Sequence, residues 1–428
     1  MIDSILSNKP LLAILVLVIS YVFIALERVP KVVIALMGGT AVILLNVVDL
    51  EYAVHHIDWN VIFLLVGMMI LVNILKHTGA ITWLGIYTAR RVGGNGVKLM
   101  IIFCLLTAVM SAFLDNVTTV LLLGSVTCAI AKELKINPIP FLITQAIASN
   151  IGGTATLIGD PPNIMVGSAA GFSFSDFLTN LGPIIIVMLP ISIWMMSIMF
   201  KNDLQLPQEA QEGISKLTLD GIITDKPLMI KAIAIIGIVI IGFIFHHTIH
   251  QEAGTIALAG ASVLMVFENK KHIWDDVEWT TIFFFVGLFI IVGSLVETGV
   301  IRTMADGLLH LTQGNYNTMA IALLWGSGIL SAVVDNIPYT ATMIPMIHEM
   351  KSAGHFENVE ALWWALALGA CLGGNGTIIG ATANVVIADM AHKNGYPIRF
   401  MEFMKAGSLI MLMTLVISTA YLWFRYLM

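Results

Sequence analysis

The sequence predicts an all-α polytopic membrane protein built from two inverted-topology repeats of five crossings, each with a re-entrant hairpin and a broken helix. Three observations carry this prediction: composition, a series of bilayer-length apolar segments, and a match between the two halves. Of 428 residues, 58% are hydrophobic and only 11% charged, with a mean hydropathy of +0.92. A soluble domain carries about 25% charge. The charge here is too scarce to cover a water-soluble globule of 46.5 kDa, which argues against a soluble enzyme or a disordered chain. A net charge of −6 gives no basic face for nucleic acid. Three scattered cysteines make neither a disulfide framework nor a metal site.

A bilayer core about 30 Å thick takes roughly 20 apolar helical residues. Segments of that kind cover 11–27, 31–49, 59–76, 139–170, 178–200, 229–249, 253–268, 279–296, 361–391 and 406–424. The first is a retained span rather than a signal peptide, because no small-residue cleavage site follows before Arg28. Two of the ten, 139–170 and 361–391, are too long and too rich in Gly, Pro and Asn to be simple helices. They are read as broken. Two further stretches, 98–132 and 318–348, carry an Asp-Asn pair midway and are read as hairpins. The polar stretch 201–228 reads as a cytoplasmic linker between a first repeat (1–200) and a second (229–428).

Charge sets the orientation. Arg28 and Lys31 follow span 1, whereas Asp49, Glu51, His55, His56 and Asp58 follow span 2, so the first loop is cytoplasmic and both termini lie outside. Threading the rest alternately puts 17 of the 21 Lys and Arg residues inside, Lys216, Lys270 and Lys271 among them. Lys9, Arg302, Lys351 and Arg425 fall outside. The split requires each Asp-Asn stretch to return to its own side, since an extra crossing reverses everything after it. The expected location is a bacterial-type inner (plasma) membrane.

The halves align at an offset of 220. DWNVIFLLVGMMILVNILKHTGAI (58–81) matches EWTTIFFFVGLFIIVGSLVETGVI (278–301), and Asp115-Asn116 matches Asp335-Asn336. At offset 221, Thr156–Gly159 meets Thr377–Gly380 and Asn163 meets Asn384. Five crossings per half put the second copy upside down, the arrangement of many secondary transporters, whose sites form at the midplane from discontinuous helices.

Asp115-Asn116-Val117-Thr118 and Asp335-Asn336-Ile337-Pro338-Tyr339-Thr340 would then be hairpin tips deep in the membrane. A carboxylate there costs several kcal/mol unless paired, solvated or protonated. The plainer reading is a capped turn, since Asp and Asn are natural N-caps. The broken segments carry Asn150, Gly153, Thr154, Thr156 and Asn163, and Asn375, Gly376, Thr377 and Asn384. Unwound backbone survives at such depth only inside protein or along a cavity. There its freed groups bind a small ion or polyol, or the break is a mere kink. Asp160 has no acidic counterpart, position 381 being Ala. It carries a proton or binds a cation, or else it caps the helix opening at Pro161. The coupling candidates are thus Asp115, Asp160 and Asp335.

Other signals are weaker. Asn116-Val-Thr118 and Asn375-Gly-Thr377 fit the glycosylation pattern but lie within membrane segments. Gly159-Asp160 with Asp115 is a poor intramembrane aspartyl protease, with Leu at 157. His246, His247 and His250 at a span end read as interfacial rather than metal-binding, and the cysteines as packing residues. Trp363-Trp364 and Tyr421-Trp423 look like interfacial anchors. No P-loop is present.

The motifs SAFLDNVTTVLLL (111–123), NIGGTATLIGDPPN (150–163), GGNGTIIGATANVVIA (373–388) and FMEF (400–403) resemble the ArsB/NhaD branch of the ion-transporter superfamily. The wording is close to the melanosomal P-protein subgroup and its bacterial relatives. The resemblance implies a scaffold domain and a transport domain. By position, Asp115, Asn116, Asn150, Gly153 and Thr154 fall in one half-site, and Asp335, Asn336, Asn375, Gly376 and Thr377 in the other. Members include arsenite/antimonite extruders, Na+/H+ antiporters and anion-pathway proteins. The leading expectation is proton-coupled export of arsenite or antimonite, a small neutral oxyacid suited to Thr, Asn and bare backbone. The alternative is Na+(Li+)/H+ antiport, ahead of an anion channel, a carboxylate transporter or a membrane enzyme. No cofactor or resident metal is expected, only a proton gradient or Na+. Expected partners are the bilayer, a second copy and a separate ATPase subunit.

Overall fold

The computed structural model describes residues 8–26, 28–92, 94–268 and 273–428. Lys270 and Lys271 lie outside them, as does the side chain of Lys216. Among the described residues every regular element is helical. The first half contains α1 (Lys9–Leu26), α2 (Lys31–Leu44), α3 (Leu50–His55), α4 (Trp59–His77), α5 (Ala80–Val92), α6 (Gly96–Phe113), α7 (Asn116–Leu134), α8 (Ile139–Gly153), α9 (Pro161–Ala170), α10 (Phe174–Asn180) and α11 (Gly182–Met199). A linker helix α12 (Gln208–Lys216) follows. The second half contains α13 (Lys226–Ile244), α14 (His246–Ile249), α15 (Ala253–Met265), α16 (Trp279–Glu297), α17 (Val300–Leu311), α18 (Tyr316–Ser331), α19 (Asn336–Ser352), α20 (Glu360–Gly373), α21 (Thr382–Lys393) and α22 (Phe400–Leu422).

Eight helices among the described residues are long and apolar enough to cross a membrane. The apolar helices α2 and α15 are shorter, at 14 and 13 residues. At 1.5 Å per residue that is about 20 Å, so neither spans a 30 Å core alone. Local chemistry starts the helices: Asp58, Asn95, Asp225 and Asn315 each accept a hydrogen bond from a backbone N–H of the first turn they precede.

The halves interlock. α4 packs along α15 of the other half, and α16 packs along α2. Glycines allow this closeness: a Cβ on Gly67 would lie 2.6 Å from the Ala257 carbonyl carbon, and one on Gly287 2.4 Å from that of Ala35. Within each half the hairpin's first arm packs on the first piece of the broken helix, α6 on α8 and α18 on α20. The second pieces cross over, α9 to α19 and α21 to α7. Each of these contacts thus has its counterpart in the other half.

The structure adds detail that the sequence did not show and corrects one expectation. The arms α6 and α7 have 18 and 19 residues, or about 27–28 Å each, more than half a bilayer core. The two tips are gathered where the hairpins meet the broken helices. Amphipathic α5 and α17 follow the third span of each half, a pair the hydropathy pattern alone does not reveal. The linker is packed on the first half: α12 lies on α5 and α7, and Thr224 N–H donates to Thr78 O at 3.0 Å. Trp363 and Trp364 are not interfacial anchors. They are 4% and 0% exposed, and Phe172 stacks on Trp364 at 4.4 Å. A helix interior to the bundle buries aromatic residues that an outer helix would show to lipid.

Candidate functional site

Both broken helices unwind where Gly and Asn recur. A Cβ on Gly153 would lie 2.6 Å from Gly159 O, so the chain doubles back too closely for a side chain. Asn163 staples this break: its Nδ2 donates to Gly153 O (3.3 Å), Thr154 O (3.1 Å) and Thr156 O (2.9 Å). Asn384 does the same in the other half, donating to Gly374 O (2.8 Å) and Thr377 O (2.9 Å). The freed carbonyls are thereby satisfied without water. Gly376 meets Ala332 and Met411 so closely that it has no room for a Cβ.

The threonines fasten hairpin to break. Thr156 Oγ1 donates to Ala112 O, and Thr377 Oγ1 donates to Ala332 O at 2.6 Å. Thr154 and Thr340 donate to Asn150 O and Asn336 O of their own helices, at 2.7 and 2.8 Å. These four hydroxyl protons are used internally, leaving lone pairs as the only groups they can offer a ligand.

The asparagines join the half-sites. Asn150 Nδ2 donates to Asn375 Oδ1 (3.0 Å) and Asn384 Oδ1 (3.1 Å), and Asn116 Nδ2 approaches Asn150 Oδ1 at 3.4 Å. Asn336 Nδ2 donates to Asp160 Oδ1 at 3.3 Å. At offset 221 the counterpart of Asn150 is Cys371, and its Sγ donates to Asn163 Oδ1 at 3.4 Å. Cys371 therefore belongs to this network and is not an isolated packing residue.

The acidic groups differ in role. Asp115 accepts from Thr118 N at 2.8 Å and Asp335 from Ile337 N at 3.1 Å, so both cap the second hairpin arm. Asp160 precedes α9 but makes no side-chain cap. Its carboxyl group is fully buried against Asn336, Asn116 and Cys371. Three buried polar atoms here have no hydrogen-bond partner among the described residues: Asp160 Oδ2, Asn116 Oδ1 and Asn375 Nδ2. Buried polar atoms are ordinarily paired, so this concentration makes the place a candidate site.

Asp115, Asn116, Asp160 and Asn336 line a central cavity of about 20 Å³, room for about one water molecule. Lys31, Glu278 and Thr382 also line it, and the motif reading missed all three. Lys31 looks like one more basic residue of the first loop, yet its Nζ donates to Asp335 Oδ2 at 2.8 Å and Thr382 Oγ1 at 2.7 Å. The available signal for Glu278 was its alignment with Asp58 across the repeats. Larger cavities are also present. One of about 880 Å³ is bordered by His56 and His348 and reaches Met165 and Ala341. Two others, of about 340 and 280 Å³, have His246 and Ala253, and Ile24 and Lys31, among their lining residues respectively. Among the described residues, no three His, Cys, Asp or Glu side chains are grouped to hold a metal ion.

A family model described as "Citrate transporter" (CitMHS) matches residues 21–369. The chain is 42% identical over 424 residues to "Uncharacterized transporter Rv2684" of Mycobacterium tuberculosis, covering 97% of this chain and 98% of that one. It is 40% identical to a "46 kDa membrane protein" of Mycobacterium leprae over 423 residues, 97% and 99% of the two chains. It is 30% identical over 490 residues to the human "P protein", covering 94% of this chain and 58% of that one. In fold it is similar to the YdaH transporter of Alcanivorax borkumensis, described as having an unusual topology. That match has a TM-score of 0.58 at 12% identity and covers 98% of both chains. The chain is thus a multi-pass membrane transporter and not an enzyme, and it belongs to the CitMHS family.

Proposed function

We propose that this transporter is secondary active and exchanges a small monovalent cation, Na+ or Li+, for protons across a bacterial-type inner membrane. The observation that carries the reading is the pair of unpartnered acceptors, Asp160 Oδ2 and Asn116 Oδ1, beside a cavity sized for one water. A carboxylate buried there without a cation is costly, so its charge is balanced by a bound cation or by a proton, and never by both at once. That exclusivity is the basis of antiport. Asp115, Asp160 and Glu278 against the single Lys31 also make the cavity lining net acidic. Such a lining opposes a tricarboxylate of the kind the family description names.

Export of arsenite or antimonite is the second reading. It is supported by Asn375 Nδ2, an unpartnered donor in the same network, because a neutral oxyacid needs donors as well as acceptors. It ranks second because three hydroxyls fill several times the volume of one water. The motif wording supports the ArsB/NhaD branch for either substrate. With Lys31 drawn into the site, 16 of the 17 basic residues threaded inside remain, against 4 outside, and this partition supports cytoplasmic 201–228 and external termini.

The test is transport in proteoliposomes under a fixed pH gradient. Na+ or Li+ should release protons and arsenite should not, and Asp160→Asn should abolish the exchange while leaving the protein monodisperse. Proton movement driven by arsenite, with none driven by Na+ or Li+, would put the second reading in place of the first.

A further inference from the structure

The two half-sites are not equivalent, and the difference centres on one cation. Across the interlocked helices, Gly67 faces the backbone of Ala257 and Leu258, while Gly287 faces that of Ala35 and Leu36. That register, an offset of 222, makes Ala253 the counterpart of Lys31. At offset 221 the counterpart of Thr382 is Pro161, and Asp335 corresponds to Asp115. The second half-site therefore holds a carboxylate, an ammonium and a hydroxyl in mutual contact: Lys31 Nζ lies 2.8 Å from Asp335 Oδ2, and Thr382 Oγ1 lies 3.1 Å from that same oxygen. Around Asp115 the matching positions are Ala and Pro, which bring no donor, and the extra carboxylate Asp160 lines the same central cavity as Asp115. The Lys31 ammonium also faces the Phe284 ring, 5.1 Å from its centroid. Lys31 and Thr382 line both the central cavity and the 280 Å³ cavity beside it, so this cluster forms the wall between them.

We propose that the Lys31 ammonium is a tethered cation that fills the second half-site and confines the transported cation to the first, at Asp115 and Asp160. The proposal deepens the cation-exchange reading and rests on it for the identity of the transported ion. Lys31 cannot leave with the substrate, so the site carries one mobile cation where a symmetric pair would carry two. Removing the ammonium should turn Asp335 and Thr382 into a second, empty cation position.

Two measurements on the purified full-length chain test this separately. The first places a cysteine in the half-site by Thr382→Cys, with the three native cysteines replaced by alanine. It compares the labelling rate by an anionic and by a cationic methanethiosulfonate. With Lys31 present the anionic reagent should be favoured. Lys31→Ala, or Lys31→Met, which keeps the stem, should reverse the preference by about tenfold or more, as loss of a unit charge at contact distance dictates. Lys31→Arg should retain the original preference. An unchanged preference in both neutral variants overturns the proposal. The second measurement is 22Na+ binding at fixed pH. One ion per chain is expected in the wild type, two in Lys31→Ala, and one again in Lys31→Ala/Asp335→Asn. Unchanged stoichiometry in a wild type that does bind 22Na+ also overturns the proposal. If the labelling preference reverses but no form binds 22Na+, Lys31 keeps its place as the half-site cation and the Na+/H+ reading is the one that falls.

Discussion

At the scale of single residues, Asn150 is the side chain on which the two half-sites converge. It is fully buried, and its one amide nitrogen serves Asn375 and Asn384, both from the other half. Asn150→Ala leaves two buried carbonyl oxygens short of a donor, at about 1–3 kcal/mol for each one stranded. Asn384 keeps its own donations to Gly374 and Thr377, so the break itself stays stapled. The expected result is a melting temperature several degrees lower in detergent, with normal membrane insertion and greatly reduced transport. An unchanged melting temperature would mean that the contact is not formed. Asp160 behaves differently because the one bond it accepts, from Asn336, is equally available to an amide oxygen. Asp160→Asn keeps the size of the side chain and its neighbour Asn336 while removing the charge. It should melt no lower than wild type and lose proton coupling. Neither role was legible in the residue alone. The sequence displayed Asp160 before Pro161, where an N-cap was an equal reading, and only the structure shows that no side-chain cap bond is made there.

At the scale of elements, the contact of hairpin with broken helix is among the tightest in the molecule. A Cβ on Gly152 would lie 2.2 Å from Ala108 O, and one on Gly373 2.4 Å from Gly328 O. Both obstacles are backbone, so they do not rotate away. Gly152→Ala or Gly373→Ala must push an arm aside, at a cost of about 1–3 kcal/mol or more. Each is expected to lower the melting temperature and to displace the tip it supports. The surface Gly307, with open space around it, should tolerate the same change. A second element carries a pH dependence. Burial first, and then the neighbouring charge of His247, hold the His246 imidazole below its ordinary range on the short helix α14. The unfolded chain takes up that proton near pH 6.5 (roughly, as for a free imidazole), and the folded chain resists it. The stability conferred by neutral His246 is present above that pH and is lost as pH falls below it. His246→Gln should therefore flatten part of the decline in melting temperature between about pH 7.5 and 5.5. The elements themselves were largely legible. Apolar length gave the long spans but overran the short helices α2 and α15, Asp-Asn gave the hairpins, and Gly-rich Asn motifs gave the breaks. The amphipathic α5 and α17 were missed because hydropathy averages over their two faces. Trp363-Trp364 was misread because a Trp pair near the start of a helix looks the same whether lipid or protein covers it.

At the scale of the whole molecule, interlocking makes a testable claim about the halves. The match of residues 58–81 with 278–301 reveals a duplication, but not which helix of one copy meets which of the other. That pairing depends on a two-fold relation no single repeat contains, and it is what brings Lys31, on the first loop by sequence, against Asp335 some 300 residues later. Neither half can bury its own surfaces: α4 lacks α15, α2 lacks α16, and the second pieces of the broken helices lack the opposite hairpin. A cut between Asp220 and Gly221 falls in the exposed linker, where a Cβ on Gly221 would meet nothing within 4 Å. Residues 1–220 and 221–428 expressed together should co-purify as one complex and transport. Self-pairing of a single half offers no escape. Two copies of the second half would bring two Asp335 carboxylates to the centre with no Lys31 for either, and two copies of the first would bring two Asp160 side chains without Asn336 beside them. The buried Asp335 charge left without Lys31 costs about 3–5 kcal/mol, and the Asp160 acceptor left without Asn336 about 1–3 kcal/mol, so each half alone should aggregate or be degraded. A monodisperse, cooperatively melting single half would show that the swapped contacts between α4, α15, α2 and α16 are dispensable, and that the asymmetry of the site has no part in holding the two repeats together.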